Sequence, residues 1–143
     1  MEINEIIQPG MVRETTYLVE ERYLAAHLGS GTHRVLATPA MIGFMEANSH
    51  RLLAEHLPEG SSSVGILVEV RHLAPTPAGT TVRVRSEVIN VEGQRVTFQV
   101  DAWDEQEQIG TGRHERAVID EARFLRRVMR KSGGEETAGG KAT

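Results

Sequence analysis

TPAMIGFMEANSHRLLAEHLPEGSSSVGILVEVRH, residues 38–72, contains a change of structural period that decides the fold. Thr38-Pro39 reads as a helix start, because a Thr hydroxyl can accept an orphan backbone N–H and Pro fits the first helical turn. The helical pattern runs to Leu57 and is stopped by Pro58 and Gly60. At about 100° per residue, Met41, Ile42, Met45, Ser49, Leu52, Leu53 and Leu57 share one arc, while Asn48, Arg51 and Glu55 fall largely outside it. Glu46 lies inside that arc, so a carboxylate is expected on the core-facing side. After Ser61-Ser62-Ser63 the period becomes two. Val64, Ile66, Val68 and Val70 point one way, Glu69 and Arg71 the other, and His72 continues the apolar side.

Working outward, Met11 to Glu20 suits a strand and Glu21 to Leu28 a short helix that Gly29-Ser30-Gly31 breaks. Downstream, Pro75 to Gly79 ends the first long strand. Thr80 to Val91, Arg95 to Trp103 and Gln108 to Val118 follow on short turns, a pattern that predicts an antiparallel meander. Asp120 then caps an amphipathic helix with Phe124, Leu125 and Val128 inward and Arg123, Arg126, Arg127 and Arg130 mostly outward. One long helix against one curved antiparallel sheet is an α+β layer arrangement. Residues 1–131 make one domain of ordinary size, and residues 132–143, with four glycines and no large apolar side chain, read as a disordered tail.

Composition narrows the chemistry. The 143-residue chain has 20 acidic side chains against 16 Lys and Arg, a net charge of −4 that argues against an electrostatic hold on nucleic acid. It has no cysteine, which removes thiol nucleophiles and thiolate metal sites and leaves a hydroxyl, imidazole or carboxylate to do any chemistry. Without a basic start, an apolar leader or a membrane-length apolar run, a cytoplasmic protein off the membrane is expected.

Three chemically capable groups are expected to converge where the helix packs on the sheet: Thr38, Glu46 and His72. Hydroxyl, carboxylate and imidazole are the parts of an acyl-transfer site. Each also has an ordinary explanation. Thr38 suits an N-cap, Glu46 an i,i+4 pair with His50, and His72 a packed core or rim histidine. His27, His33, His50 and His56 read as surface residues, and no histidine pair has the spacing of a zinc motif. The arginines of the last helix read as a solvated face. Gly110-Thr111-Gly112 lies inside a strand pattern and marks a bulge or a close backbone approach rather than a phosphate loop.

The segments Thr38-Pro39-Ala40-Met41-Ile42-Gly43-Phe44-Met45-Glu46, Val64-Gly65-Ile66, His72-Leu73-Ala74-Pro75-Thr76-Pro77-Ala78-Gly79 and Gly110-Thr111-Gly112-Arg113-His114-Glu115-Arg116-Ala117-Val118-Ile119 together resemble the fluoroacetyl-CoA thioesterase family of hotdog-fold proteins. The resemblance runs from about Met11 to Arg130 and keeps the family's Thr, Glu and His intervals. It implies a hotdog fold, one helix wrapped by about five strands, forming a homodimer or a higher assembly with sites at the subunit interface. It implies hydrolysis of an acyl-CoA thioester without metal or cofactor. Thr38 would be the hydroxyl at the thioester carbonyl, Glu46 the carboxylate that attacks or activates water, and His72 the general base and acid. Gly65 would make a backbone contact at the acyl group, and Arg116 would shape the pocket. The stretch matching the family's phenylalanine-bearing lid, Glu21 to Ala37, has no Phe and only Tyr23, which predicts a short or medium acyl group other than fluoroacetyl. The rival from a different class is a non-catalytic protein that keeps the pocket to bind a CoA ester or acyl ligand. Enoyl-CoA hydration is a second enzymatic rival, one that needs no Thr at the helix start.

Overall fold

The computed structural model describes residues 2–133; of the expected tail, all but Ser132 and Gly133 lies outside the described residues. A short helix α1 (Ile3–Ile6), which the sequence pattern did not suggest, precedes strand β1 (Val12–Leu18). A 3-10 turn over Glu21–Tyr23 and helix α2 (Ala25–Leu28) follow, with Gly29 at φ 78° closing α2. The long helix α3 (Thr38–Ala54) leads to β2 (Ser61–His72), β3 (Thr81–Glu92), β4 (Arg95–Trp103), β5 (Gln108–Asp120) and α4 (Glu121–Lys131). The helical pattern therefore ends at Ala54 rather than Leu57.

The five strands form one antiparallel sheet in the order β1-β3-β4-β5-β2. The expected meander is its centre. Strand β2 crosses to the far edge and pairs with β5 over nearly its whole length, from Ser61 opposite Asp120 to His72 opposite Gly110. The sheet wraps α3, whose Met41, Met45, Leu52 and Leu53 are no more than 1% exposed. Each such side chain contributes roughly 1.5–3 kcal/mol through burial.

Three expectations from periodicity are corrected. Asn48 is fully buried rather than outside the packed arc, because β1 and β3 curl over that flank. Its amide is satisfied there by the Arg13 carbonyl, Ser86, Thr15 and Arg13. In β2 the register shifts between Gly65 and Leu67, so the alternation starting at Val64 does not carry through to His72. A bulge inserts one residue and reverses the faces beyond it. In α4 no residue is buried, and Leu125 and Val128 stand 52% and 46% exposed; the helix is amphipathic, but its apolar side does not fold back onto the core. Asp120 caps it as expected, accepting from the Arg123 N–H.

The glycines of β5 mark close approach. A Cβ on Gly110 would lie 2.6 Å from the Met41 sulfur, a flexible neighbour, whereas one on Gly112 would meet β2 backbone, with Val70 Cα at 2.5 Å. Gly112→Ala is therefore expected to cost about 1–3 kcal/mol or more, read as a lower urea midpoint, and an unchanged midpoint would contradict this spacing.

Candidate active site

Helix α3 takes Ala37 as its N-cap, with extended backbone and no side-chain cap, and Thr38 is the first helical residue. Forgoing a capping side chain costs about 1 kcal/mol. The hydroxyl that the sequence offers for capping is used elsewhere: Thr38 Oγ1 lies 2.7 Å from His72 Nδ1. The N-cap explanation of Thr38 is thus replaced by a side-chain pair joining the helix start to the end of β2. The other ring nitrogen, His72 Nε2, is buried and has no hydrogen-bond partner among the described residues, an arrangement that carries a desolvation cost. Burial also holds the His72 pKa below 6.5, so the ring is neutral at neutral pH. Thr38 and His72 line a cavity of about 370 Å³ walled by small and aliphatic residues, among them Ala25, Leu36, Leu73 and Ala74. A neutral imidazole with one nitrogen on a hydroxyl and the other free is equipped to take a proton from water or from that hydroxyl.

Glu46 does not join this pair within the chain. Eight residues of helix separate it from Thr38, about 12 Å along the axis. Its carboxylate instead lies over Gly65, where a Cβ would meet Glu46 Oε2 at 2.7 Å, His114 Cε1 at 3.2 Å and Arg116 Nη1 at 3.5 Å. Gly65 is seven residues before His72 on β2, roughly 20 Å of strand. The five expected site residues therefore fall into two groups, Thr38 with His72 and Glu46 with Gly65 and Arg116. The expected pairing of Glu46 with His50 is absent: His50 is half-buried and lies 3.4 Å from Ser63 Oγ.

Arg116 is buried at 7% exposure. Its Nε donates to Ser63 Oγ (2.8 Å), its Nη2 to the Ser63 carbonyl (3.1 Å) and its Nη1 to His114 Nε2 (3.1 Å). Desolvation lowers its pKa, and the nearby Glu46 charge partly restores it. The Glu46 carboxylate itself has no hydrogen-bond partner among the described residues. A half-buried carboxylate beside a buried guanidinium and an open glycine is a place where a polarised carbonyl or a water can sit.

A family model described as fluoroacetyl-CoA-specific thioesterase matches residues 19–122. The chain belongs to that family. It is 43% identical over 98 residues to a fluoroacetyl-CoA thioesterase of Streptantibioticus cattleyicolor, covering 68% of this chain and 70% of the relative. A solved structure of a fluoroacetyl-CoA thioesterase superposes with a TM-score of 0.83 at 35% identity, over 87% of this chain and 97% of that one. A hot-dog-like protein from Thermanaerovibrio acidaminovorans gives 0.86 at 30% identity, over 94% and 100%. The protein is a thioesterase of the hotdog fold.

In this thioesterase the segment ahead of Thr38 carries no aromatic over the cavity. Tyr23 packs edge-on against Phe44, ring centres 4.8 Å apart, and Phe44 stacks on Tyr17 at 4.2 Å. All three rings are thereby committed to the flank of α3. Among the described residues no helix is long and apolar enough to cross a membrane. Sequence reasoning gave no role to His114, although it contacts Arg116 directly. The signal available was its place two residues before Arg116 on one face of a strand.

Proposed function

We propose that this thioesterase hydrolyses short or medium acyl-CoA thioesters, without selectivity for fluoroacetyl, in a site shared between two subunits of a homodimer. The observation that carries the reading is the Thr38–His72 pair, whose buried Nε2 has no partner, beside a cavity that Glu46 of the same chain cannot reach. Strand β2 is a sheet edge with exposed Ile66 and Val68, the kind of edge that pairs with a copy of itself. Two β2 strands paired antiparallel about the Val68–Glu69 step bring His72 of one chain opposite Gly65 of the other, and with it Glu46. A two-fold axis produces two such sites.

In that site Thr38 binds the thioester carbonyl at the helix start, where the dipole favours developing negative charge. Glu46 of the other chain attacks the carbonyl carbon or activates the water that does. Where water attacks, His72 takes its proton and passes it to the departing CoA thiolate; where Glu46 attacks, CoA leaves as the thiolate, a Glu46 acyl anhydride forms, and His72 takes the proton of the water that then hydrolyses it. The C–S bond breaks, a C–O bond forms, and the products are a carboxylic acid and free CoA. Gly65 leaves room for the acyl group, and Arg116 orients it. Small wall residues and the missing aromatic lid support a substrate other than fluoroacetyl.

The test is thiol release from a graded acyl-CoA panel. Hydrolysis is expected for short to medium chains with comparable rates for acetyl and fluoroacetyl. No thiol release from any member contradicts the activity, and a large fluoroacetyl preference contradicts the selectivity.

A further inference from the structure

His114 sits on β5, between β4 and the edge strand β2, at 1% exposure. Its Nδ1 lies 2.8 Å from the Leu67 carbonyl, just past the register shift in β2. A carbonyl only accepts, so Nδ1 carries a hydrogen. Its Nε2 lies 3.1 Å from Arg116 Nη1. A guanidinium only donates, so Nε2 must offer a lone pair. One state alone satisfies both contacts: the neutral ring protonated on Nδ1. Ser63 fixes the other side of the guanidinium through two further bonds.

We propose that His114 is a positioning residue of the thioesterase site, which as a neutral, Nδ1-protonated imidazole aims Arg116 at the space beside Glu46 and Gly65. The inference rests on the reading of Arg116 as a substrate-orienting group. Protonating His114 sets an N–H against an N–H and a cation against a cation, so Arg116 must turn away and lose its aim. Activity therefore requires His114 to stay neutral. The groups around it act as follows. Burial lowers its pKa most, the Leu67 carbonyl and the Glu46 and Glu115 charges raise it, and Arg116 lowers it. Phe98 of β4 lies alongside with ring centres 6.1 Å apart, and His50 of α3, itself held neutral by burial, meets the same Ser63. The balance lies below the ordinary 6.5, which keeps the ring neutral at neutral pH.

The test uses the full chain. Nitrogen-15 NMR of the histidine side chains at neutral pH is expected to show His114 protonated on Nδ1 and bare at Nε2; the opposite tautomer overturns the proposal. His114→Gln keeps an acceptor for Arg116 but does not titrate, whereas His114→Leu offers none. The Leu variant is expected to lose at least about tenfold in kcat/KM at neutral pH, and the Gln variant to recover most of it. On the acid side the wild-type profile of log kcat/KM is expected to be steeper than that of the Gln variant by about one unit of slope, because wild type needs His114 neutral in addition to the groups both proteins share. A Gln variant with the wild-type slope overturns the proposal while leaving the hydrolase reading intact. Wild-type protein that releases no thiol from any acyl-CoA overturns both.

Discussion

His72→Ala is expected to lower kcat/KM by at least about a hundredfold, within the range of roughly 10²–10⁴ that a general base supplies. The magnitude follows from where the ring sits. Its Nδ1 is fixed on Thr38 and its Nε2 is buried without a partner, so it loses only one internal hydrogen bond on truncation. Removing a buried nitrogen that no group satisfies also relieves a desolvation cost. The variant should therefore unfold within about 1 kcal/mol of wild type while losing nearly all activity. That split separates a catalytic role from a packing role. A packed rim histidine would show the reverse, a loss of stability with turnover largely kept. The acid limb of the wild-type profile should fall below pH 6.5, since burial holds the His72 pKa under that value and only the neutral ring accepts a proton.

Glu46→Gln is expected to cost a similar factor, again at least about a hundredfold. The substitution keeps the shape and removes the charge. Because the carboxylate makes no hydrogen bond among the described residues, none is lost with it. What is lost is the nucleophile or water-activating oxygen and the negative charge near the buried Arg116 guanidinium. An amide cannot take either role. Turnover by Glu46→Gln within about threefold of wild type would remove Glu46 from the chemistry and leave Thr38 and His72 to act with water alone.

Much of this candidate site was legible because its polar side chains stand where folding alone would not put them. Glu46 stood out as a carboxylate on an apolar arc, and His72 as an imidazole continuing an apolar strand face. The change from helical to alternating period gave the long helix and the edge strand, and the turns at Glu92-Gly93 and after Trp103 gave the meander. The rest depended on long-range pairing. That β2 lies beyond β5 cannot be read from local pattern, and the bulge after Gly65 reverses a face that simple alternation keeps constant. Asn48 was placed outside the packed arc because a helical wheel assumes one buried face, whereas a wrapped helix has more. Helix α4 shows the converse: its pattern tells which side is apolar and nothing about what that side meets. The separation of Glu46 from Thr38 was accessible from helix rise alone, and the proposal of a shared site rests on it.

Under the proposed function, Glu46 of one subunit works with Thr38 and His72 of the other. The direct test is to co-express His72→Ala and Glu46→Gln chains with different tags and purify the heterodimer. Each parent homodimer is inactive by the predictions above. In the heterodimer one site collects both substitutions and the other collects neither, so activity should return to about half that of the wild-type dimer. A heterodimer as inactive as its parents would contradict the shared site.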